Sequence, residues 1–164
     1  MDIQNIYNSI AELSREIVRE CTARSVKIST AESCTGGMIS GAVTSISGSS
    51  AVIELGVCSY SNRIKHEILH VPAEVLERFT EYSVECAAEM AKGVMELSGA
   101  DYGVSTTGVA GPTGGSAEHP VGLDDLEGVG AAAASASSLH RAAQTGSLSV
   151  RLRRKRRFQC CSAR

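Results

Sequence analysis

Two glycine-rich turns constrain the fold of this chain more than any other feature of its sequence. Residues 30–37 have the sequence T-A-E-S-C-T-G-G, residues 106–115 have T-T-G-V-A-G-P-T-G-G, and a short apolar segment leads into each turn. Segments with helical periodicity lie between them. Strands that alternate with helices build a largely parallel sheet, and functional groups collect in loops at the carboxyl ends of its strands. We therefore predict an α/β fold, a three-layer α/β/α sandwich whose largely parallel or mixed sheet carries both turns at one edge.

Hydrophobic spacing predicts the elements around these turns. Strands are expected at 26–30, at about 56–60 and at 101–107. Helices are expected at 38–46, at 62–69 with Asn62 as its cap, from Pro72, and from Ser83 to Gly99. An apolar stripe predicts a further helix at the start of the chain, with a buried face formed by Ile3, Ile6, Ile10, Leu13, Ile17 and Cys21.

Composition places the chain among globular proteins. It has 164 residues, of which 43% are hydrophobic and 21% charged, and this balance suits one domain with a buried core. No apolar run is long enough to span a bilayer, and the first residues lack the pattern of a signal peptide, so we expect a cytoplasmic protein without membrane contact. The six cysteines lack zinc-ligand spacing. We expect free thiols, no metal and no cofactor.

Charge and composition change together near Gly122. Residues 1–122 contain eight basic and 15 acidic residues, a net charge of −7, whereas residues 123–164 contain eight basic and three acidic ones, a net charge of +5. The second part begins with an Ala/Ser-rich segment and ends with an arginine-rich run. We therefore predict two regions, a folded domain at 1–122 and an atypical tail at 123–164.

The two turns are candidates for ligand binding. Glycines let a backbone approach a ligand closely, and neighbouring hydroxyl and N–H groups hold phosphate or carboxamide groups. Thr35, Gly36 and Gly108 are candidate substrate-binding residues on this ground. Neither turn has Walker or Rossmann spacing, and an ordinary turn is the simpler interpretation of each.

A second polar group surrounds the middle strand. Ser50 precedes this strand, Tyr60 follows it, and Lys65 lies five residues further on. A serine becomes a nucleophile when a nearby base accepts its proton, and a desolvated lysine is such a base. The alternative is that Ser50 caps a turn and Lys65 is a solvated charge. A strand of five or six residues separates its ends by roughly 17–20 Å, so the Ser/Lys pair requires either a fold-back or a second subunit.

Other candidates carry less weight. Glu32 is expected to fix the first turn through backbone hydrogen bonds. Cys34 suggests a thiol nucleophile, but no histidine pairs with it in an evident way, so we expect a buried small residue there. Asn62 has substrate binding as its alternative role.

Three segments, in order and in register, resemble the CinA C-terminal domain family. They are TAESCTGG, GSSAVIELGVCSYSNRIKHEILHVP and GADYGVSTTGVAGPTGGSAEHPVG, and the resemblance covers about residues 5–122. Characterised members of this family are nicotinamide mononucleotide deamidases. The resemblance implies hydrolysis of a nucleotide carboxamide to nicotinic acid mononucleotide and ammonia, as a step of pyridine nucleotide recycling, without a metal.

The family's residue roles transfer onto matching positions. Ser50 resembles the nucleophile, Lys65 its general base and Tyr60 an assisting phenol. Ser33 and Thr107 match positions that line the nucleotide pocket. The implied partners are a small-molecule nucleotide and a second copy of the chain in a homo-oligomer.

The chain departs from the family after Gly122. Members continue with further strands, a Gly-Asp-Arg turn and a closing helix, and this sequence shows none of these patterns, so we expect disrupted C-terminal strands. A shifted reading frame or a disordered segment is one explanation of the tail. Two alternative functions follow: a nucleotide-binding module with impaired catalysis, or, with less support, nucleic-acid binding through the basic run at 151–157.

Overall fold

The fold is an α/β arrangement with four strands, seen in a computed structural model that describes residues 2–111 and 123–130. The first half of the chain forms α1 (Ile3–Arg24), β1 (Ile28–Glu32), α2 (Met38–Thr44), a 3-10 turn (Ser49–Ala51) and β2 (Ile53–Cys58). The second half forms α3 (Asn62–Leu69), α4 (Ala73–Phe79), α5 (Val84–Ser98), β3 (Tyr102–Val109) and β4 (Leu123–Gly130).

The sheet has the strand order β2-β1-β3-β4. Strand β1 pairs in parallel with β2 and with β3, whereas β4 pairs antiparallel to β3. Because β1 lies between two parallel neighbours, the carboxyl ends of three strands meet at one edge. The predicted α/β class with a mixed sheet is confirmed.

Helices cover both faces of the sheet. On one face, Val18 and Cys21 of α1 pack with Val43 of α2 and with Val52. On the other face, a second cluster joins Ala31 of β1 to α3 and α5 through Leu69, Val71, Cys86, Met90 and Val94. The sheet is therefore the middle layer of three.

Helix α5 approaches its neighbours very closely at one glycine. A Cβ atom on Gly93 would lie 1.9 Å from the carbonyl oxygen of Leu69, at the end of α3. No side chain fits in that space, so glycine is required for this contact. The close packing fixes α3, which carries Lys65, against α5.

Three strand predictions need correction. Strand β1 begins at Ile28, two residues later than predicted, and β2 begins at Ile53, about three residues earlier. The predicted absence of strands after Gly122 is wrong, because Leu123–Gly130 pairs with β3 over eight residues. The β-propensity of this segment is low, and pairing with an established strand overrides it. The division of the chain at Gly122 stays a prediction, and the tail beyond Gly130 lies outside the described residues.

Helix α1 is correctly predicted, but only its second half is buried. Ser14, Val18 and Cys21 are the buried residues of α1, whereas Ile3 is 68% and Leu13 60% exposed. A helix of this length spans roughly 33 Å, and β1 spans about half as much. The sheet is therefore too short to bury the whole apolar stripe, and the predicted core positions Ile3, Ile6, Ile10 and Leu13 are wrong.

Helix ends are set by residues that the sequence indicates. The Ser83 side chain accepts a hydrogen bond from the Cys86 N–H (3.1 Å), and Gly99 ends α5 with a φ of 70°, both as predicted. The cap of α3 is Ser61, not Asn62, since the Ser61 hydroxyl accepts from the Ile64 N–H at 3.3 Å.

Candidate active site

A cleft of about 440 Å³ lies at the carboxyl edge of the sheet. Four chain segments line it: the ends of β1 and β3, the stretch from the end of β2 into α3, and the turn between α4 and α5. The Ser33 N–H donates to the Thr106 carbonyl (2.9 Å), which joins the two glycine-rich turns as predicted. The lining residues are Ser33, Cys34, Tyr60, Ser61, Asn62, Lys65, Glu81, Tyr82, Gly108, Val109, Ala110 and Gly111.

Lys65 is the most unusual side chain of this cleft. It is a lysine with only 1% of its surface exposed, although it lines the cavity. Its Nζ donates to the Glu81 carbonyl at 2.8 Å and to the Thr107 hydroxyl at 2.9 Å. Both partners are neutral oxygens, so neither supplies the full countercharge that a buried ammonium requires.

The surroundings of Lys65 favour its neutral form. Burial lowers the pKa of the Lys65 amine, and it outweighs the opposing influence of the Cys86 thiol, the Glu81 carboxylate and the Cys34 thiol. A neutral amine has a lone pair that accepts a proton. Lys65 is therefore equipped to act as a general base within this cleft.

Thr107 connects the second turn to this lysine. Its hydroxyl donates to the Glu81 carbonyl at 2.6 Å and accepts from Lys65 Nζ. The side chain is fully buried below the cleft and is not among the lining residues. The structure therefore gives Thr107 a role in orienting Lys65, and its predicted contact with substrate stays a prediction.

Glu32 organises the first turn, as expected from the sequence. Its buried carboxylate accepts hydrogen bonds from the backbone N–H groups of Gly37 (3.1 Å), Ile39 (2.9 Å) and Ser40 (2.8 Å). The Ser40 hydroxyl adds another at 2.6 Å. The carboxylate thereby satisfies the free N–H groups at the start of α2.

The pKa of Glu32 reflects these contacts. Burial tends to raise the pKa of this carboxyl, but the hydrogen bonds from Ser40, Ile39 and Thr35 together outweigh it and lower the pKa. Glu32 therefore remains ionised while buried. Its role is to hold the turn, which makes it a poor general acid.

Thr35 and Gly36 take part in the first turn rather than in the cleft. The Thr35 hydroxyl lies 2.7 Å from a Glu32 carboxylate oxygen and 2.7 Å from the Thr106 hydroxyl. Gly36 is exposed and has a φ of 59°, a left-handed conformation that suits glycine. Neither lines the cleft, whereas Ser33 and Gly108 do. Substrate binding by Thr35 and Gly36 stays a prediction.

Ser50 lies at the other end of β2. It is exposed within the 3-10 turn that precedes β2, whereas Lys65 lies beyond the carboxyl end of that strand. The six residues of β2 separate these ends by roughly 20 Å. A single chain therefore does not bring Ser50 and Lys65 together. Tyr60 does line the cleft and is 78% exposed, which leaves its phenol accessible.

Sequence reasoning missed two residues of the cleft, Glu81 and Tyr82. They lie in the turn between α4 and α5, which contains Thr80 at φ 72° and ψ 163°. This conformation is strained for a β-branched residue. The short gap between two predicted helices was the available signal, but nothing in the sequence indicated that the turn faces the strand ends.

Ser59 is a further buried hydroxyl near this edge. Its N–H donates to the Glu32 carbonyl at 2.8 Å. Among the described residues, the Ser59 hydroxyl is the one buried side-chain group without a hydrogen-bond partner.

Within the described residues no group of three His, Cys, Asp or Glu side chains is placed to hold a metal ion. Likewise, none of the described helices is long and apolar enough to cross a membrane.

Comparisons with known proteins agree with this architecture. A family model described as CinA C-terminal domain matches residues 10–151. A nicotinamide-nucleotide amidohydrolase, PncC of Enterobacter agglomerans, is 50% identical over 111 residues, which are 68% of this chain and 68% of that protein. A crystal structure of the competence/damage inducible protein CihA from Agrobacterium tumefaciens has a TM-score of 0.74 at 46% identity, over 75% of this chain and 74% of that one.

Other relatives are much longer. A competence-damage inducible protein of Thermoanaerobacter sp. (strain X514) is 46% identical over 112 residues, which are 68% of this chain but 27% of the relative. The chain thus matches about a quarter of the length of such curated relatives.

Fold and cleft define an α/β protein with a buried lysine at the carboxyl edge of a mixed sheet. The chain belongs to the CinA C-terminal domain family. This family includes an amidohydrolase of nicotinamide nucleotides.

Proposed function

We propose that this chain hydrolyses the carboxamide of nicotinamide mononucleotide, which yields nicotinic acid mononucleotide and ammonia. The observation that carries the proposal is Lys65, a buried amine with a lowered pKa that opens into the cleft. The similarity to the amidohydrolase of Enterobacter agglomerans supports the substrate class.

The chemistry follows from a neutral Lys65. The amine accepts the proton of a serine hydroxyl while the serine oxygen attacks the carboxamide carbon, and the resulting ammonium returns the proton to the leaving ammonia. Water then hydrolyses the acyl-serine ester, again with Lys65 as base. Tyr60, at the mouth of the cleft, is proposed to assist this proton transfer.

Ser50 is the proposed nucleophile, and it requires a second copy of the chain. It lies too far from Lys65 in its own chain, but it is exposed and therefore accessible to a partner. In a symmetric dimer, Ser50 of each copy reaches the cleft of the other. The alternative within one chain is Ser33, which lines the same cleft as Lys65.

Ammonia release from nicotinamide mononucleotide by the purified chain tests this proposal. Lys65→Ala and Ser50→Ala are each expected to reduce turnover about 1000-fold. Ser47→Ala, which alters an exposed serine near Ser50, is the matched control and should retain turnover. Loss of turnover in Ser33→Ala with full activity in Ser50→Ala would identify Ser33, and not Ser50, as the nucleophile. Binding without turnover in the parent would instead identify a nucleotide-binding module.

A mixing experiment tests the shared site directly. Equal amounts of Ser50→Ala and Lys65→Ala are dissociated together and reassembled. If each cleft uses Ser50 of the partner, half of the dimers are mixed and each has one intact site, so about a quarter of the parent activity should return. No recovery would contradict a site shared between copies.

A further inference from the structure

One side of the cleft carries a carboxylate that the proposed reaction does not use. Glu81 and Tyr82 both line the cavity, and so does Tyr60. Burial, and after it the nearby Glu81 carboxylate, raises the pKa of the Tyr82 phenol. Two tyrosines and a glutamate therefore line the same cavity as Lys65.

Hydrogen bonds hold the main chain at Glu81 in place. The Glu81 carbonyl accepts from Lys65 Nζ at 2.8 Å and from the Thr107 hydroxyl at 2.6 Å. The turn is closed by the Thr80 carbonyl, which accepts from the Ser83 hydroxyl at 2.9 Å. The main chain of Glu81 is therefore fixed from two sides at the edge of the cleft.

The charges of the lining residues favour a cation. Among the described residues, the titratable lining groups are Cys34, Tyr60, Lys65, Glu81 and Tyr82, and Glu81 is the one carboxylic acid of this set. Lys65 meets the carbonyl of Glu81, not its carboxylate, and burial lowers the pKa of the lysine. Lys65 and Thr107 hydrogen-bond to the Glu81 carbonyl, so among the described lining residues the Glu81 carboxylate is the acidic group that a cationic ligand can complement.

The nicotinamide ring of a mononucleotide carries the matching charge. Its ring nitrogen is bonded to ribose, so the ring is a quaternary pyridinium cation. Such cations are attracted to the faces of aromatic rings and to carboxylates. Free nicotinamide and the reduced dihydropyridine ring have the same carboxamide but no ring charge.

We propose that Glu81 and Tyr82 form a recognition site for the pyridinium cation, which selects N-ribosylated, oxidised nicotinamide over neutral carboxamides. The inference rests on the proposed function for the identity of the ring. Glu81 and Tyr82 are specificity-determining residues in this scheme, and proton transfer remains with Lys65. The new carboxylate of the product is repelled by Glu81, which favours product release.

Binding of a non-hydrolysable nucleotide pair tests the inference independently of turnover. 3-Acetylpyridine mononucleotide keeps the pyridinium, ribose and phosphate but has a ketone in place of the amide, and its reduced dihydro form is neutral at the ring. Calorimetry on the full chain should show about tenfold tighter binding of the oxidised form. Glu81→Gln and Tyr82→Leu should each reduce this preference to about twofold or less, because they weaken binding of the oxidised form much more than binding of the reduced form.

Glu77→Gln is the matched control, because Glu77 is exposed on α4 outside the cleft. It should keep the full preference. Equal weakening of both forms in Glu81→Gln, no weakening of either, or failure of the parent to bind the oxidised form would overturn the inference. Ammonia release without the preference would leave the proposed function standing, whereas the preference without ammonia release would refute the function and keep the inference.

Discussion

The carboxyl edge of the sheet contains two buried ionisable side chains with opposite surroundings. The Glu32 carboxylate is 1% exposed and accepts from three backbone N–H groups and from side-chain hydroxyls. Lys65 is equally buried, but its amine meets one carbonyl and one hydroxyl and opens into the cleft. Both pKa values are lowered, and this has opposite results, since Glu32 keeps its charge whereas Lys65 tends to lose it.

The hydrogen-bond partners of a buried ionisable group decide whether the group stabilises the fold or is available for chemistry. A carboxylate surrounded by donors is fully compensated, so it stabilises the fold and has little capacity left for reaction. An amine that is desolvated but incompletely compensated costs folding free energy, and its lowered pKa leaves a larger fraction of it unprotonated, and thus able to accept a proton, at neutral pH. Substitutions of Glu32 are therefore expected to change stability, and substitutions of Lys65 to change turnover.

Lys65→Met should produce the largest effect. Methionine has a similar length and no amine, so ammonia release from nicotinamide mononucleotide is expected to fall about 1000-fold. The free energy of unfolding should stay the same or rise by about 1 kcal/mol, because the cost of burying the amine disappears. The Glu81 carbonyl keeps its hydrogen bond from Thr107. Turnover assays and urea unfolding measure the two effects.

Lys92→Met is the control for this comparison. Lys92 is exposed on α5, and its contact with Glu89 spans 3.8 Å, so its loss should change neither quantity much. If Lys65→Met unfolds the chain while Lys92→Met does not, Lys65 is a structural group like Glu32 and the contrast between the two is lost.

Glu32→Gln should have the opposite effect to Lys65→Met, because it should lower stability rather than turnover. The amide keeps the shape of the side chain but places an NH₂ group against backbone donors, so unfolding in urea should show a loss of about 3 kcal/mol. Glu12→Gln, on the exposed face of α1, should be neutral. A stable Glu32→Gln with impaired turnover would give Glu32 a catalytic role instead.

Much of the fold was predictable from short-range patterns. The caps at Ser83 and Gly99 and the parallel meeting of the two glycine-rich turns depend on local sequence and on strand alternation. Strand β4 was not predictable in this way, because pairing with β3 determines its conformation and its own residues have low β-propensity. The exposed half of α1 was missed because periodicity marks an apolar face without showing what covers it.

The sequence indicated Lys65 as a candidate site residue, but it indicated less about the residues that surround Lys65 in the cleft. The sequence grouped Ser50, Tyr60 and Lys65 around one strand and suggested a Ser/Lys pair, and the family resemblance implied a role for each of the three. The length of the intervening strand already indicated that Ser50 and Lys65 lie far apart in one chain. The sequence gives no sign, however, that Glu81 and Tyr82 turn toward the cleft. These relations depend on the packing of α3 against α5, which residues far apart in the chain determine.

The stability difference between the parent and Glu32→Gln should depend on pH. The folded pKa of Glu32 lies below its unfolded value, so the unfolded chain binds a proton that the folded chain does not. The stabilisation is fully present above the unfolded value of about 4.3 and is lost as the pH falls through the folded pKa. Urea midpoints of both proteins, measured from neutral to acidic pH, should therefore converge. A constant difference would show that Glu32 titrates alike in both states.

Thr35→Val should give the smallest effect. It tests where the structural contacts around Glu32 end and the cleft around Lys65 begins. The Thr35 hydroxyl lies against Glu32 and Thr106, outside the cleft lining. Valine keeps the shape and removes one of several donors to the carboxylate, so we expect a loss of about 1 kcal/mol in the free energy of unfolding. If Thr35 only supports Glu32 and the first turn, KM for nicotinamide mononucleotide should stay within about twofold of the parent value. A larger rise in KM, with Thr35→Ser restoring it, would extend the substrate site to Thr35 and confirm the role that the sequence suggested.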